Sequence, residues 1–300
     1  DKRADNMGLD PLPDIDFNIR CGNTLYGYAT EDDIISGSSY DLFTQAEFRD
    51  QVEKEMIEVS NAYEDFRSIQ LARHDDLSKY KAAKKFLKDK LVAFTELLNR
   101  QLFSHSGRDD YRKWLETHQP FHWIAEFYQI IHENGGFDVI IGNPPYVEYT
   151  KKNKETGLAI RDIYQLENYS TIGCNNLYAF VIERSLLISK NRNNIGFIVP
   201  LTIASNNNMS EVRNLICDTG TVYFSHYEIR PAKLFEGVEQ RLTIFMIRQT
   251  GSNKIFSTSI RRWRAEQRDL LFTNISYSNA FNNRQIWRTS TDIESSIYAK

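Results

Sequence analysis

The sequence predicts an α/β protein with a mostly parallel sheet, a closing antiparallel hairpin and a helical insertion. Three observations support this class. In the second half of the chain, short apolar runs rich in β-branched residues alternate with amphipathic helical patterns, as in a doubly wound sheet. The last two apolar runs follow each other without a helix between them, which predicts the hairpin. Residues 41–135 show helical periodicity ahead of these runs, which predicts the insertion.

The first part of the chain combines one short predicted strand with three predicted helices. Residues 17–21 suit a short strand, and Gly22 and Asn23 suit a turn at its end. Further on, apolar residues recur at three- and four-residue steps, and Gly135-Gly136 ends the last helical pattern. The three predicted helices cover residues 42–69, 77–103 and 120–133.

The second part alternates strands and helices. The predicted strands are 137–141, 195–200, 221–229 and 242–247, and the predicted helices are 176–188 and 211–217. Residues 148–170 have few apolar side chains, which predicts a mobile loop. From residue 251 the composition changes, with a basic cluster at 261–268, and we place a boundary or linker there.

The composition excludes several classes of protein. With a net charge of −3 over 300 residues, the whole chain shows no general sign of nucleic-acid binding, so a DNA surface has to be a local patch. Cys21, Cys174 and Cys217 are scattered, which predicts free thiols and no metal site. We see no signal peptide and no long apolar span, which predicts a cytoplasmic protein without a membrane segment. The opening at Asp1, without Met, predicts a piece of a longer protein.

The most informative feature is an apolar run that stops in Asn143-Pro144-Pro145-Tyr146. The run from Phe137 to Ile141 predicts a buried parallel strand. Neither proline has an N–H, so the ladder cannot continue and Asn143 is held at the carboxyl end of the strand, where open α/β sheets bind ligands. An amide oxygen, the Pro144 carbonyl and the Tyr146 ring together suit a planar ring that carries an amino group.

These residues resemble the catalytic motif of the amino-group methyltransferases that use S-adenosylmethionine. In motif order, the chain is similar to the gamma-class adenine-N6 DNA methyltransferases, and in particular to the type IIG, Eco57I-like restriction–modification enzymes. The stretches that carry the resemblance are 19–25 (Ile-Arg-Cys-Gly-Asn-Thr-Leu), 120–127, 136–146, 176–180, 196–200 and 234–245. They cover most of residues 11–270.

The resemblance implies a Rossmann-like methyltransferase sheet and a role for several residues. It implies that the Asn143 oxygen and the Pro144 carbonyl accept hydrogen bonds from the target amine of a flipped-out adenine, with Pro145 stiffening the turn. It implies that Tyr146 stacks on that base and that Phe235 is the opposing aromatic, although a core role for Phe235 is equally open. It implies that Asn23 and Asn143 contact the cofactor, although Asn23 also suits a plain turn.

The resemblance also implies how the chain is divided. Residues 1–40 are expected to end a cofactor-binding half, 41–135 to form the insertion, 136–250 to form the catalytic half, and 251–300 to link to a target-recognition region. It implies double-stranded DNA as the partner, with a nuclease and a target-recognition domain in the same parent chain.

One departure from the family pattern is a missing glycine-rich cofactor loop. No Phe-x-Gly-x-Gly sequence occurs among the 14 glycines. Such a loop brings backbone N–H groups close to the methionine part of the cofactor. We therefore expect this chain alone to bind S-adenosylmethionine weakly or not at all.

Two other functions remain open from the sequence. A protein glutamine N5-methyltransferase would use the same turn on an amide nitrogen, but those proteins are compact and lack an insertion such as 41–135. A non-catalytic, DNA-binding piece of the same fold is the second alternative, and the missing glycine loop favours it.

Overall fold

The computed structural model describes residues 17–36, 42–71, 77–249, 252–273, 275–280 and 285–298. The chain divides into two compact units, Asp1–Gln129 and Ile130–Lys300. The first unit is helical, and the second contains the sheet.

A pair of long helices dominates the first unit. Its helices are α1 (Glu31–Ser36), α2 (Leu42–Leu71), α3 (Leu77–Ser104), α4 (Tyr111–His118) and α5 (Trp123–Glu126). The helices α2 and α3 pack along each other. Buried residues recur at helical spacing on both, for example Val52, Met56 and Val59 on α2 and Leu87 and Phe94 on α3. The helices predicted for 42–69 and 77–103 are confirmed.

The helix predicted for 120–133 is interrupted. Helix α4 begins before it, where the Asp110 carboxylate accepts a hydrogen bond from the Lys113 amide at 3.0 Å and caps the helix. Gln119 then adopts a left-handed backbone conformation, with φ of 44°, and ends α4. Helix α5 and a π-helical turn at Gln129–Glu133 follow as separate pieces. Apolar residues run through the break, so the sequence pattern does not reveal it.

The strand predicted for residues 17–21 is wrong. Residues 19–21 have no regular structure, and the backbone pairs further on through a single bridge between Asn23 and Pro120. The Phe17 ring packs edge-on against Phe66 of α2, with 5.3 Å between ring centroids. The apolar character of this run is therefore used for packing on a helix, because no neighbouring strand stands beside it in the described part of this unit.

The second unit is built on one six-stranded sheet. Its strands are β1 (Phe137–Gly142), β2 (Ser189–Pro200), β3 (Thr221–Tyr227), β4 (Leu242–Arg248), β5 (Ile255–Arg261) and β6 (Ser278–Asn279). The order across the sheet is β1-β2-β4-β3-β5-β6. The strands β1, β2, β3 and β5 run in one direction, and β4 and β6 run against them. The Rossmann-like α/β class and the closing β3–β4 hairpin are confirmed.

The described part of this unit also contains five α-helices. They are α6 (Ile160–Ile163), α7 (Leu177–Leu187), α8 (Thr202–Ser205), α9 (Ser210–Thr219) and α10 (Asp292–Tyr298). Helix α7 packs against β2 and α9 against β3. The Asn176 side chain caps α7 by accepting a hydrogen bond from the Tyr178 amide. The core lies between these helices and the sheet, where Phe180, Val199 and Phe245 are fully buried.

Strand β1 differs from its prediction as a buried strand. Among the described strands it lies at the border of the sheet and pairs with β2. Val139 and Ile141 are 58% and 82% exposed. The sequence signal was correct for a strand, but an apolar run does not indicate how many neighbours the strand has.

Two further segments of the second unit are more ordered than the sequence predicted. Residues 255–261 form β5, which pairs parallel with β3, so the sheet continues past the boundary predicted near 251. The segment 148–170, predicted as a mobile loop, is held by buried side chains, among them Tyr149, Leu166 and Tyr169. Across the described part of the chain, no helix combines the length and the apolar character needed to cross a membrane.

Candidate active site

The Asn-Pro-Pro-Tyr turn begins where β1 ends. The last ladder pair of β1 and β2 joins Gly142 and Phe197, and Asn143 follows directly. A Cβ atom at Gly142 would lie 2.7 Å from Cε1 of Phe197, so any other residue would require the buried Phe197 ring to shift. Gly142 therefore brings the turn close to β2 at the carboxyl end of both strands.

The turn is anchored at its centre and exposed at its start. Pro144 is buried, whereas Asn143 and Pro145 are exposed. Since neither proline can donate a backbone hydrogen bond, the chain leaves the sheet at this point. The turn thus presents the Asn143 carboxamide on a rigid support.

A cavity of about 860 Å³ opens beside Asn143. Its lining is mainly apolar and comes from one face of the sheet and from two following segments. The sheet contributes Ile141, Ile198, Ile244 and Met246, and the segments contribute Leu234, Phe235, Leu271 and Phe272. Its polar lining includes Asn143 and Arg268. Cavities of this size and character suit small ligands that a few polar groups orient.

Phe235 lines the same cavity as Asn143. It lies in the segment between β3 and β4 and is 37% exposed, while its neighbour Leu234 is buried. The Arg268 guanidinium donates a hydrogen bond to the Leu234 carbonyl at 3.0 Å, which ties this segment down. The structure therefore brings two of the predicted site residues to one cavity.

Tyr146 lies against the turn itself. Its hydroxyl oxygen is 2.7 Å from the Oδ1 atom of Asn143 and 2.9 Å from the carbonyl oxygen of Ile198. The ring packs on the buried cluster around Tyr227 and Leu242 and stands edge-on to Tyr178. Burial raises the pKa of Tyr146 to about 12, so the hydroxyl is protonated at neutral pH.

Asn23 belongs to the other unit and has local partners there. Its Oδ1 atom accepts a hydrogen bond from the Leu25 amide at 3.3 Å, and its own backbone N–H donates to the Gln119 carbonyl at 2.8 Å. These contacts are those of a turn residue.

Sequence reasoning missed the cavity residues that follow β5. Arg268, Leu271 and Phe272 line the cavity, and Trp263 is buried in the cluster beneath it. The sequence assigned this stretch to a linker because of its arginines. The apolar residues between those arginines are the signal that could have placed it in the site. Among the described residues, no group of three or more His, Cys, Asp or Glu side chains is arranged to hold a metal ion.

The fold and the turn together place the chain in the methyltransferase class of α/β proteins. The sequence profile of the Eco57I restriction-modification methylases matches residues 23–235, which is more than half of the chain. The chain belongs to this family of restriction–modification methyltransferases.

Individual relatives are much longer than this chain. It is 35% identical over 98 residues to a protein of Methanocaldococcus jannaschii described provisionally as a type II restriction enzyme and methyltransferase. That match covers 33% of this chain and 8% of the relative.

Among solved structures, the DrdV–DNA complex aligns with a TM-score of 0.41 and 12% identity, over 54% of this chain and 19% of that one. The ATP-dependent type ISP restriction-modification enzyme LlaBIII bound to DNA aligns with a TM-score of 0.41 and 18% identity. That alignment covers 70% of this chain and 17% of LlaBIII.

Proposed function

We propose that this chain is the methyl-transferring part of a site-specific adenine-N6 DNA methyltransferase within a longer, type IIG restriction–modification enzyme. The observation that carries the proposal is the exposed Asn143 carboxamide at the rim of an apolar cavity that Phe235 also lines. Family membership supports methyl transfer in a restriction–modification setting. The adenine target, the cofactor and the DNA substrate are parts of the proposal.

Asn143 and Pro144 have the chemistry that an adenine amine requires. The lone pair of this nitrogen is delocalised into the ring, so the amine is a poor nucleophile. Two acceptors on its two N–H bonds, the Asn143 side-chain oxygen and the Pro144 carbonyl, hold it in a geometry that localises the lone pair. Both acceptors belong to a turn that is anchored by a buried proline, so the site is organised before the base arrives.

The cavity suits a base that has left the duplex. Flipping a base out costs about a few kcal/mol, and stacking on aromatic rings returns roughly 1–3 kcal/mol per base. Phe235 lines the cavity on one side, and Tyr146 stands next to Asn143. The largely apolar lining would lower the local dielectric around a bound base and so strengthen the hydrogen bonds of its amine to the turn.

S-adenosylmethionine, when bound, supplies a methyl group on a positively charged sulfur. The residues proposed to hold it are Asn143, which is exposed beside the cavity, and Asn23. The Asn23 oxygen already accepts the Leu25 amide, so its contribution would come from the amide nitrogen. No Phe-x-Gly-x-Gly loop is available in this sequence for the methionine end of the cofactor.

The test is Asn143→Ala in the longer enzyme, with methyl transfer to duplex DNA as the readout. We expect a loss of at least roughly 10²-fold in rate with DNA binding retained, because Asn143 acts on the amine and not on phosphates. Asn208→Ala, an exposed asparagine away from the cavity, is the matched control. Near-normal turnover by Asn143→Ala would exclude the mechanism.

A substrate competition separates DNA from protein substrates. Duplex DNA and a release-factor protein are offered together, and the labelled product is identified. Methyl label on the protein would favour the glutamine methyltransferase instead.

A further inference from the structure

The Tyr146 hydroxyl has two close neighbours and a single proton. Its oxygen lies 2.7 Å from the Asn143 carboxamide atom assigned as Oδ1 and 2.9 Å from the Ile198 carbonyl oxygen. A carbonyl oxygen accepts and never donates, so it can satisfy the hydroxyl only by receiving its proton. Asn143 must then donate to the hydroxyl oxygen if both contacts are hydrogen bonds, which requires its NH₂ group in the place assigned to Oδ1.

The position of Ile198 explains why the proton goes to its carbonyl. The parallel ladder between β1 and β2 ends at the pair Gly142–Phe197, because β1 leaves the sheet there. Ile198 comes next in β2, and β1 offers it no backbone N–H. A backbone carbonyl at such a position needs another donor, and the Tyr146 hydroxyl is placed to supply it.

We infer that the Tyr146 hydroxyl orients the Asn143 carboxamide, with the amide nitrogen towards Tyr146 and the oxygen towards the target amine. The relay runs from the Asn143 NH₂ to the Tyr146 oxygen, and from the Tyr146 proton to the Ile198 carbonyl. The oxygen and nitrogen of a carboxamide are distinguished by their hydrogen-bonding partners, and this arrangement satisfies all three groups. The inference rests on the proposed function for its catalytic meaning, and Tyr146 acts here as a positioning residue.

This orientation also bears on which target the site accepts. A carboxamide held with its oxygen free accepts a hydrogen bond from an amine and offers no donor to a ring carbonyl. Tyr146 therefore adds discrimination in favour of amino-bearing bases over keto-bearing bases. The raised pKa of Tyr146 supports the relay, because the hydroxyl keeps its proton throughout the neutral range.

The first test reads the carboxamide directly and needs no methyl transfer. In protein labelled with ¹⁵N-asparagine, the side-chain NH₂ signal of Asn143 is identified by its loss in Asn143→Asp. We expect one of its protons to exchange slowly with solvent in the natural protein and roughly tenfold or more faster in Tyr146→Phe. Tyr149→Phe is the control, since it removes a hydroxyl that bonds Tyr164 and Leu166 instead. Equal exchange in the natural protein and in Tyr146→Phe would overturn the inference.

The second test is a double-mutant comparison in the longer enzyme. Tyr146→Phe should lower kcat by roughly 2- to 10-fold with little change in KM, because the carboxamide now samples both orientations and the competent fraction falls. In the Asn143→Asp background the same change should cost less than about 2-fold, because a carboxylate has two equivalent oxygens and needs no orienting donor.

The outcomes separate the inference from the proposed function. An equal cost of Tyr146→Phe in both backgrounds would assign the hydroxyl to packing and refute the relay. An enzyme that transfers no methyl group even with its natural residues would refute the proposed function, and the exchange measurement would still decide the orientation of Asn143.

Discussion

His226 allows the stability of the sheet to be predicted as a function of pH. It is fully buried in β3, with Nδ1 at 2.8 Å from the Thr243 hydroxyl of β4 and Nε2 at 3.0 Å from the Ser257 hydroxyl of β5. Burial lowers the pKa of His226 from 6.5 to about 3, and the charge of Arg288 adds to this effect. The imidazole is therefore neutral in the folded protein throughout the range from pH 7 to pH 5.

The sign of the effect follows from which state binds the proton. Below pH 6.5 the unfolded chain protonates this histidine, while the folded protein does not until the pH approaches 3. The contribution of neutral His226 to the free energy of unfolding is therefore complete above about pH 6.5 and is lost as the pH falls below that value. A solution at pH 5 is about 1.5 units below the unfolded-state pKa of His226, so protonation stabilises the unfolded state by about 2 kcal/mol relative to the folded state. This figure holds for any folded-state pKa well below 5.

The assay is urea unfolding at pH 7.5 and pH 5.0 for the natural protein and for His226→Gln. Glutamine keeps a donor and an acceptor but does not titrate, and the carboxylates that titrate in this range are common to both proteins. We expect the free energy of unfolding to fall by about 2 kcal/mol more in the natural protein than in the variant. His132→Gln, at an exposed histidine, controls for the substitution itself. An equal loss in the natural protein and in His226→Gln would refute the reasoning.

Three further predictions concern the candidate site. Tyr146→Ala should impair methyl transfer far more than Tyr146→Phe, since it removes the ring as well as the hydroxyl; equal damage in the two variants would mean that the ring does not contribute by stacking. Gly142→Ala should lower the free energy of unfolding, measured by urea titration, by about 1–3 kcal/mol, because the added Cβ would lie 2.7 Å from the buried Phe197 ring. Gly196→Ala is the control and should be tolerated in the same titration, because the nearest atoms to its added Cβ lie at 3.8 Å. In calorimetric titration this chain alone should bind S-adenosylmethionine weakly or not at all, and micromolar binding would show that another segment replaces the glycine loop.

The sequence predicted elements whose signal is local. The helices α2 and α3 follow from apolar periodicity, and β1, β2, β3 and β4 follow from short β-branched runs with a turn or a proline at the end. The position of Asn143 after β1 follows from Gly142 and the two prolines.

Features that depend on distant neighbours were not predictable in this way. Residues 17–21 look like a strand, but Phe17 finds α2 and no strand partner in the described part of its unit. The run that forms β5 was hidden by the arginines after it, since its role depends on pairing with β3. The contact of Tyr146 with Ile198 joins residues 52 positions apart, so it cannot be predicted from a local sequence pattern.

The place of β4 in the sheet limits when this unit can fold during synthesis. It follows β1, β2 and β3 in the chain, yet it lies between β2 and β3 and pairs with both. Until Arg248 has left the ribosome, a nascent chain can form the β1–β2 pair, but β4, which joins β2 to β3, is not yet complete. The Asn-Pro-Pro-Tyr turn of a growing polypeptide therefore rests on a two-stranded ribbon, which is marginally stable in water, until translation has passed the end of β4.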